Sequence, residues 1–269
     1  MSDAGYVLDE ADDDVESRRL RMLCEIYDPP TQELLASRID LAGAKVLEIG
    51  AGTGSIARWL GDQVGAQGSV LATDINLRFL ANLDHPNVTV QEHNIVNEDI
   101  EDAPYDLVHC RFLLEHNHTE ARDLIAKMIR ALRPGGWLVV EEADHGTNRA
   151  AVPDHPLSQP YDDAMEQLQQ VFEAAGTNLT IFGRQVPPLF HTSDLVNVGS
   201  SANFDINAAD EPWPQMLRLA LQSVMVAAET GAIPGLDQID LQSVATALSD
   251  PTFHLGQFAV VRAWGQRPE

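Results

Sequence analysis

Apolar and polar positions along the chain alternate between strand-like and helix-like patterns. An apolar run at 45–49 predicts a buried strand, and a helical pattern follows at 55–60. Further strands are predicted at residues 68–74, 87–95, 105–111, 137–142, 197–206 and 257–264. Strands that alternate with helices indicate an open, mostly parallel α/β sheet that binds its ligand at the carboxyl ends of the strands.

Proline and glycine positions set the predicted ends of several helices. Asp28-Pro29-Pro30 predicts a break between an N-terminal helix and a second helix that starts near Pro30. An amphipathic helix at 120–132 is expected to stop at the turn Arg133-Pro134-Gly135-Gly136.

Late helices are predicted at 161–175, 215–228 and 240–248. The last two exceed what a minimal sheet needs, and we expect them to cap a substrate pocket. We therefore predict a single domain over residues 1–269. Its parts are an N-terminal helical lid segment at 1–40, a cofactor-binding half at 41–150 and a substrate-side half at 151–269.

Glycines 50, 52 and 54 lie directly after the first strand, at alternate positions. Glycine is needed where the backbone is strained or where a ligand approaches it closely. The spacing G-x-G-x-G differs from the dinucleotide fingerprint G-x-G-x-x-G, and no Lys-Ser/Thr pair follows to bind a triphosphate. A glycine-rich connector without a ligand is the alternative interpretation.

Four motifs in this order resemble class I S-adenosylmethionine (SAM)-dependent methyltransferases. They are Glu48-Ile49-Gly50 with the glycines after it, Asp74 at the end of the second strand, Asp106-Leu107-Val108-His109, and Leu132–Gly136 with the strand that follows. The resemblance covers about residues 44–145. It implies a Rossmann-like fold, with a seven-stranded, mostly parallel sheet, helices on both faces and a helical lid.

The resemblance also implies a set of residues for SAM and its product S-adenosylhomocysteine. Asp74 would accept hydrogen bonds from the ribose hydroxyls, although it could instead cap a helix at 75–80. The Asn94 amide oxygen would accept from the adenine amino group, and Ile95 would cover the ring. The implied cofactor-binding residues are Glu48, Gly50, Ala51, Gly52, Gly54, Asp74, Ile75, Asn94, Ile95 and Arg111.

Histidines lie where a catalytic base would be useful. His116 follows the fourth strand and His145 follows the fifth, and we rank these two first. A base helps only if the acceptor is protonated, as a phenol or an alcohol is. His118, Glu142 and Asp144 are further candidates. His116 and His118 have no third ligand at a metal-binding spacing, so no metal is predicted.

Composition limits the classes of partner and the compartment that we expect for the chain. A net charge of −24 over 269 residues argues against a nucleic-acid partner, and no apolar run is long enough to cross a membrane. No signal peptide is evident at the start, and two cysteines favour a reducing cytoplasm. The acidic N-terminal segment is either a solvated arm or a lid that places Tyr6, Arg21 or Tyr27 over the cofactor.

The expected function is methyl transfer from SAM to a small molecule, a natural-product intermediate, with oxygen favoured as the acceptor. Tyr27-Asp28-Pro29, residues 54–60 and the strand Trp137–Glu142 resemble bacterial small-molecule methyltransferases of secondary metabolism. We expect the chain to be a monomer or a homodimer. Alternatives are a SAM-binding protein that catalyses a cyclisation or rearrangement, and a non-catalytic binding module. A nicotinamide-dependent reductase is disfavoured by the glycine spacing.

Overall fold

The structure is a computed structural model that describes residues 13–176 and 181–269. Its helices are α1 (Asp13–Arg38), α2 (Ser55–Val64), α3 (Ala121–Ala131), α4 (Ser158–Ala174), α5 (Phe182–His191), α6 (Pro212–Thr230) and α7 (Leu241–Ala247). Its strands are β1 (Lys45–Ile49), β2 (Ser69–Asp74), β3 (Val88–Glu92), β4 (Tyr105–Arg111), β5 (Leu132–Asp144), β6 (Val196–Asn203), β7 (Ile206–Ala208), β8 (His254–Gly256) and β9 (Ala259–Gln266). Tyr6 and residues 9–12 of the acidic run lie outside the described residues.

Seven strands form one sheet in the order β3-β2-β1-β4-β5-β9-β6. Strands β3, β2, β1, β4 and β5 pair in parallel. This confirms the predicted seven-stranded, mostly parallel sheet. The strand order reverses between β1 and β4, and ligands bind at such a switch point in doubly wound folds.

Helices cover both faces of this sheet. Leu47 of β1 belongs to a buried cluster with residues of α3 and α5, whereas its neighbour Val46 belongs to a cluster with residues of α2 and the second half of α1. Successive residues of a strand point to opposite faces, so the two clusters are the two faces of the sheet.

Helix α1 runs through Pro29 and Pro30 without ending, so the predicted break at this point is wrong. Tyr27, Thr31 and Leu35 are buried at four-residue spacing, and the Thr31 hydroxyl donates to the Tyr27 carbonyl at 2.9 Å. Burial of this face outweighs the two amide donors that the prolines remove.

The predicted turn at 133–136 is also different in the structure, because β5 already begins at Leu132. The register with β4 shifts here: Tyr105 pairs with Leu132, and Leu107 pairs with Trp137. Gly135 has a φ of 72° and donates its N–H to the Arg267 carbonyl. The segment is therefore a bulge within a strand, where glycine permits the unusual backbone angle.

The chain forms two compact units. The first holds the sheet and consists of Tyr27–Ala143, Phe182–Ala202 and Val260–Glu269. The second holds the first half of α1 together with α4, α6, α7 and the antiparallel pair β7–β8. The prediction of a single domain with a helical lid stays a prediction.

Cys24 and Cys110 are both thiols. No helix in the described ranges is long and apolar enough to cross a membrane.

Candidate functional site

The glycine turn between β1 and α2 has an unusual backbone. Gly50, Gly52 and Gly54 have φ angles of 70°, 55° and 76°, which residues with a side chain rarely adopt. A Cβ at Gly54 would lie 2.7 Å from the Leu83 side chain, whereas a Cβ at Gly52 would meet nothing within 4 Å. The turn therefore leaves space beside Gly52, and it fits a cofactor that approaches the bare backbone.

Asp74 joins the end of β2 to this turn. Its Oδ2 accepts the Gly52 N–H at 2.9 Å, and its Oδ1 accepts the Asn76 N–H at 3.0 Å. The turn is also tied to β2 through Gly50 and Ala51, whose N–H groups both donate to the Thr73 carbonyl. Each carboxylate oxygen can still accept a second hydrogen bond. The acid thus lies where a ligand in the turn would meet it.

Asp74 does not cap a helix, which was the alternative role. The next helical element is a short 3-10 helix, Leu77–Phe79, and Asn76 caps it by accepting the Arg78 N–H. Between Asp74 and this cap, Ile75 is 58 % exposed. An exposed apolar side chain beside the turn can contact a flat ligand ring.

Asn94 and Ile95 follow β3, and the structure exposes the two side chains to different degrees. Asn94 is half-buried, and its Oδ1 accepts the Val96 N–H at 3.0 Å. Ile95 is 3 % exposed and packs in the core with α3 and α5, which leaves little of its side chain to cover a ring. Their adenine roles stay predictions.

Glu48 belongs to a row of buried charged side chains. Its Oε2 lies 2.6 Å from His109 Nδ1, and His109 Nε2 lies 3.1 Å from Glu141 Oε1. Arg262 donates its Nε–H to Glu141 Oε2 at 2.7 Å. These four residues, which we call the charged row, alternate in sign across β1, β4, β5 and β9.

The pKa values follow from this alternation. Burial lowers the pKa of His109 most strongly, but the charges and hydrogen bonds of Glu48 and Glu141 together raise it to about 9. Burial raises the pKa of Glu141, and the His109 hydrogen bond with the charges of His109, Arg111 and Arg262 outweighs this and lowers it. His109 is therefore a buried imidazolium at neutral pH.

Arg111 ends β4, and helix α1 holds its guanidinium. It donates to Asp28 Oδ1 at 2.7 Å and to the Thr31 hydroxyl at 3.0 Å. Tyr27 is buried and meets the Phe112 ring edge-on at 5.6 Å between centroids. The structure thus ties α1 to the end of β4 through Asp28, whereas Arg21 of the lid hypothesis is exposed.

The loop after β4 carries His116 in a 3-10 helix, Leu114–Asn117. His116 and His118 are half-buried, and His116 Nε2 lies 3.7 Å from Glu115 Oε1. Earlier in this loop, the Leu113 side chain is the nearest group to a Cβ placed on Gly50, at 3.3 Å. The loop therefore forms one wall of the glycine turn.

Glu142 of β5 holds this loop. Its Oε1 accepts the N–H groups of Leu113 and Leu114 at 3.1 and 2.7 Å, and its Oε2 accepts that of Glu115 at 3.2 Å. Burial raises the pKa of Glu142 to about 7, against these three hydrogen bonds. Burial and the charge of Glu142 raise the pKa of Glu115 well above its usual value. Glu142 is 0 % exposed, which does not suit the base role considered for it.

His145 lies in the other compact unit, directly after β5 in sequence. Its ring packs on Phe258 at 4.7 Å between centroids, and its carbonyl accepts from the Gln169 amide at 2.9 Å. Asp144 is buried and caps the 3-10 helix His145–Thr147 by accepting the Gly146 N–H. All the predicted cofactor residues and His116 belong to the sheet unit, and His145 does not.

No cluster of three or more potential metal ligands occurs within residues 13–176 and 181–269.

Comparison with known proteins identifies the family. The sequence model of the methyltransferase domain matches residues 18–208, more than half of the chain. The chain belongs to this methyltransferase family. Methyltransferase pytC of Aspergillus terreus is 30% identical to it over 129 residues, 48% of this chain and 39% of the relative. A ubiquinone/menaquinone biosynthesis C-methyltransferase, UbiE of Hahella chejuensis, is 36% identical over 115 residues, 40% of this chain and 46% of that protein.

The chain spans less than half the length of those two curated relatives. Among solved structures, it is similar to phosphoethanolamine N-methyltransferase 2 of Haemonchus contortus, crystallised with phosphomonomethylethanolamine and S-adenosylhomocysteine. The TM-score is 0.54 at 14% identity, over 91% of this chain and 54% of the other. This likeness supports the fold.

Sequence reasoning missed the charged row and the role of Glu142. One signal was available, because Glu48 and His109 are charged or polar positions in otherwise apolar strands, and buried charges need partners. Their pairing became visible only with the register that sets β1 beside β4.

Proposed function

We propose that this chain transfers the methyl group of SAM to an oxygen atom of a small-molecule acceptor, which is a natural-product intermediate. The observation that carries the proposal is the glycine turn. Three glycines with positive φ leave open space beside Gly52, and the Asp74 carboxylate lies against the same backbone.

The turn and β2 supply the cofactor contacts. The backbone of Gly50–Gly54 is accessible to the methionine part of SAM because no side chain covers Gly52. Asp74 accepts hydrogen bonds from the ribose hydroxyls, and the exposed Ile75 contacts the adenine ring. Asn94, at the end of the third strand, accepts from the adenine amino group. Glu48 and Arg111 contribute charge near the turn, with their side chains held by His109 and Asp28.

SAM supplies a methyl group on a positively charged sulfur, which an acceptor can displace. The protein brings the acceptor into line and excludes water, and such positioning can lower a barrier by about 7–11 kcal/mol. For an oxygen acceptor, the imidazole of His116 or of His145 removes the hydroxyl proton. His116 lies in the loop after β4 and His145 comes directly after β5 in sequence, and the carboxyl ends of strands are where such folds bind ligands.

A carbon acceptor is the second candidate. The relative UbiE is named a C-methyltransferase, and its match to this chain supports that chemistry here. An activated carbon acceptor can react without a histidine base. A SAM-binding rearrangement on the same fold is a further alternative, since a fold does not determine the reaction.

The first experiment is calorimetric titration with S-adenosylhomocysteine, with NADH as the control. Micromolar binding of S-adenosylhomocysteine alone supports the proposal, and binding of NADH alone refutes it. Mass spectrometry of reactions with phenols, amines and carbon acceptors then separates the acceptor classes. A product heavier by one methylene group identifies methylation, and an acceptor converted without change of mass identifies a rearrangement.

Charge and composition also bear on the nucleic-acid partner, the oligomeric state and the compartment. The net charge of −24 argues against nucleic acid as a substrate. We propose a monomer or homodimer in a reducing cytoplasm, which size-exclusion chromatography and cell fractionation would test.

A further inference from the structure

The β4–α3 loop has to keep one shape if it is to form a wall of the cofactor site. Leu113 lies against Gly50, and His116 follows three residues later. Phe112, at the start of the loop, has a φ of 56°, a left-handed conformation that residues with a side chain rarely adopt. A loop that starts in this conformation needs strong contacts to stay in place.

A single carboxylate provides these contacts. Glu142 accepts three consecutive backbone N–H groups, those of Leu113, Leu114 and Glu115. Hydrogen bonds to a charged group are about twice as strong as neutral ones. Three N–H donors directed at one carboxylate favour its ionised form, since only that form accepts all three without a proton in the way.

Glu142 is itself fixed from two sides. Residues two positions apart in a strand share a face, so Glu142 lies on the same sheet face as Val140. This face packs against α3 and α5. A Cβ at Gly183 of α5 would lie 2.7 Å from the Glu142 carbonyl oxygen, so the helix backbone packs directly on this end of β5. The backbone that carries the Glu142 carboxylate is therefore held closely between the sheet and α5.

We propose that Glu142 is a positioning residue for the SAM site, which acts by holding the Leu113–Glu115 backbone so that Leu113 forms the wall over Gly50 and His116 faces the acceptor. It acts through the loop and contacts neither SAM nor the acceptor. This inference rests on the proposed function.

The isosteric substitution Glu142→Gln tests the role. A glutamine oxygen can still accept the N–H groups of Leu113 and Leu114, but its amide nitrogen then faces the Glu115 N–H, and two donors oppose each other. We expect the Kd for S-adenosylhomocysteine at pH 8 to rise about tenfold or more. Amide exchange at residues 113–115 should quicken while the amides of β1 and β4 stay protected.

Glu211→Gln is the matched control. Glu211 is exposed, and its Oε2 also accepts a backbone N–H, that of Ala208, at 2.6 Å. This variant should bind S-adenosylhomocysteine as the wild type does.

The outcomes separate the two proposals. Failure of the wild type to bind S-adenosylhomocysteine overturns the proposed function together with this inference. Binding by the wild type with an unchanged Kd in Glu142→Gln overturns the positioning role alone, even if the melting temperature falls. If Glu142→Gln does not fold, amide exchange in the wild type decides, because amides 113–115 must be protected like strand amides. Fast exchange at these three amides overturns the inference, and slow exchange supports it.

Discussion

The buried imidazolium of His109 makes the stability of the folded chain decrease at alkaline pH. The pKa of His109 is about 9 in the folded protein, against 6.5 without perturbation. Each pKa unit corresponds to about 1.4 kcal/mol of differential interaction, so the protonated imidazole contributes about 3 kcal/mol to folding. His109 is 0 % exposed, and solvent screening does not reduce this figure appreciably.

The direction of the effect follows from linkage. Because the folded pKa is the higher one, the contribution is complete below pH 6.5 and is lost as the pH rises towards and through 9. Between pH 7 and pH 9 the free energy of unfolding should fall by about 2 kcal/mol from this residue alone. His109→Gln removes the titrating group, and its stability should fall much less over this range.

Urea unfolding at a series of pH values, followed by tryptophan fluorescence, measures these free energies. His191→Gln, at the exposed end of α5, is the control and should keep the wild-type pH dependence. A side-chain NMR titration of labelled histidine gives the His109 pKa directly. Parallel stability curves for the wild type and His109→Gln between pH 7 and pH 9, or a His109 titration near 6.5, would refute the reasoning.

Three further predictions concern the cofactor and the reaction. Asp74→Asn should weaken S-adenosylhomocysteine binding by about 1.5–3 kcal/mol in calorimetry, because a charged acceptor is lost. Gly52→Val should abolish this binding in the same assay, because its side chain fills the open space beside the turn. The strained φ at this position also lowers the melting temperature. His116→Gln should lower turnover of an oxygen acceptor by roughly 10²–10⁴-fold with cofactor affinity kept, if His116 is the base. His145→Gln tests the other candidate in the same mass-spectrometric assay.

Each of these predictions has a clear contrary result. Asp40→Asn is the control for Asp74, since Asp40 is exposed and also accepts a backbone N–H, that of Ala42. Equal affinity in Asp74→Asn and the wild type would remove the ribose role. Full binding by Gly52→Val would mean that the cofactor lies elsewhere. Turnover of an oxygen acceptor that survives both histidine substitutions would mean that neither histidine is the base.

Local patterns predicted the parts of the fold that depend on local chemistry. The glycine turn, the strand that ends at Asp74 and the strand Tyr105–Arg111 lie where the sequence placed them. Each carries a strong local signal, such as a buried apolar run or glycines that are needed for positive φ. The family resemblance added the sheet of seven strands, which is confirmed.

Long-range packing decided the parts that were predicted wrongly or missed. The buried side chains of α1 keep the helix intact through Pro29 and Pro30, and helix α5 forms although Pro187 and Pro188 lie inside it. The three amides bound by Glu142 come from residues 27–29 positions earlier, a distance that no local pattern reports.

The position of β9 has a consequence for how the chain folds. This strand follows β6 in the chain, yet it lies between β5 and β6 in the sheet, and its Arg262 pairs with Glu141 across 121 residues. Until β9 arrives, β5 has an unpaired edge and Glu141 lacks its arginine. Contacts at such sequence separation form slowly, and open strand edges promote aggregation. The sheet therefore cannot be completed in the order of synthesis, and we expect a chain still on the ribosome to need protection of the β5 edge until β9 emerges.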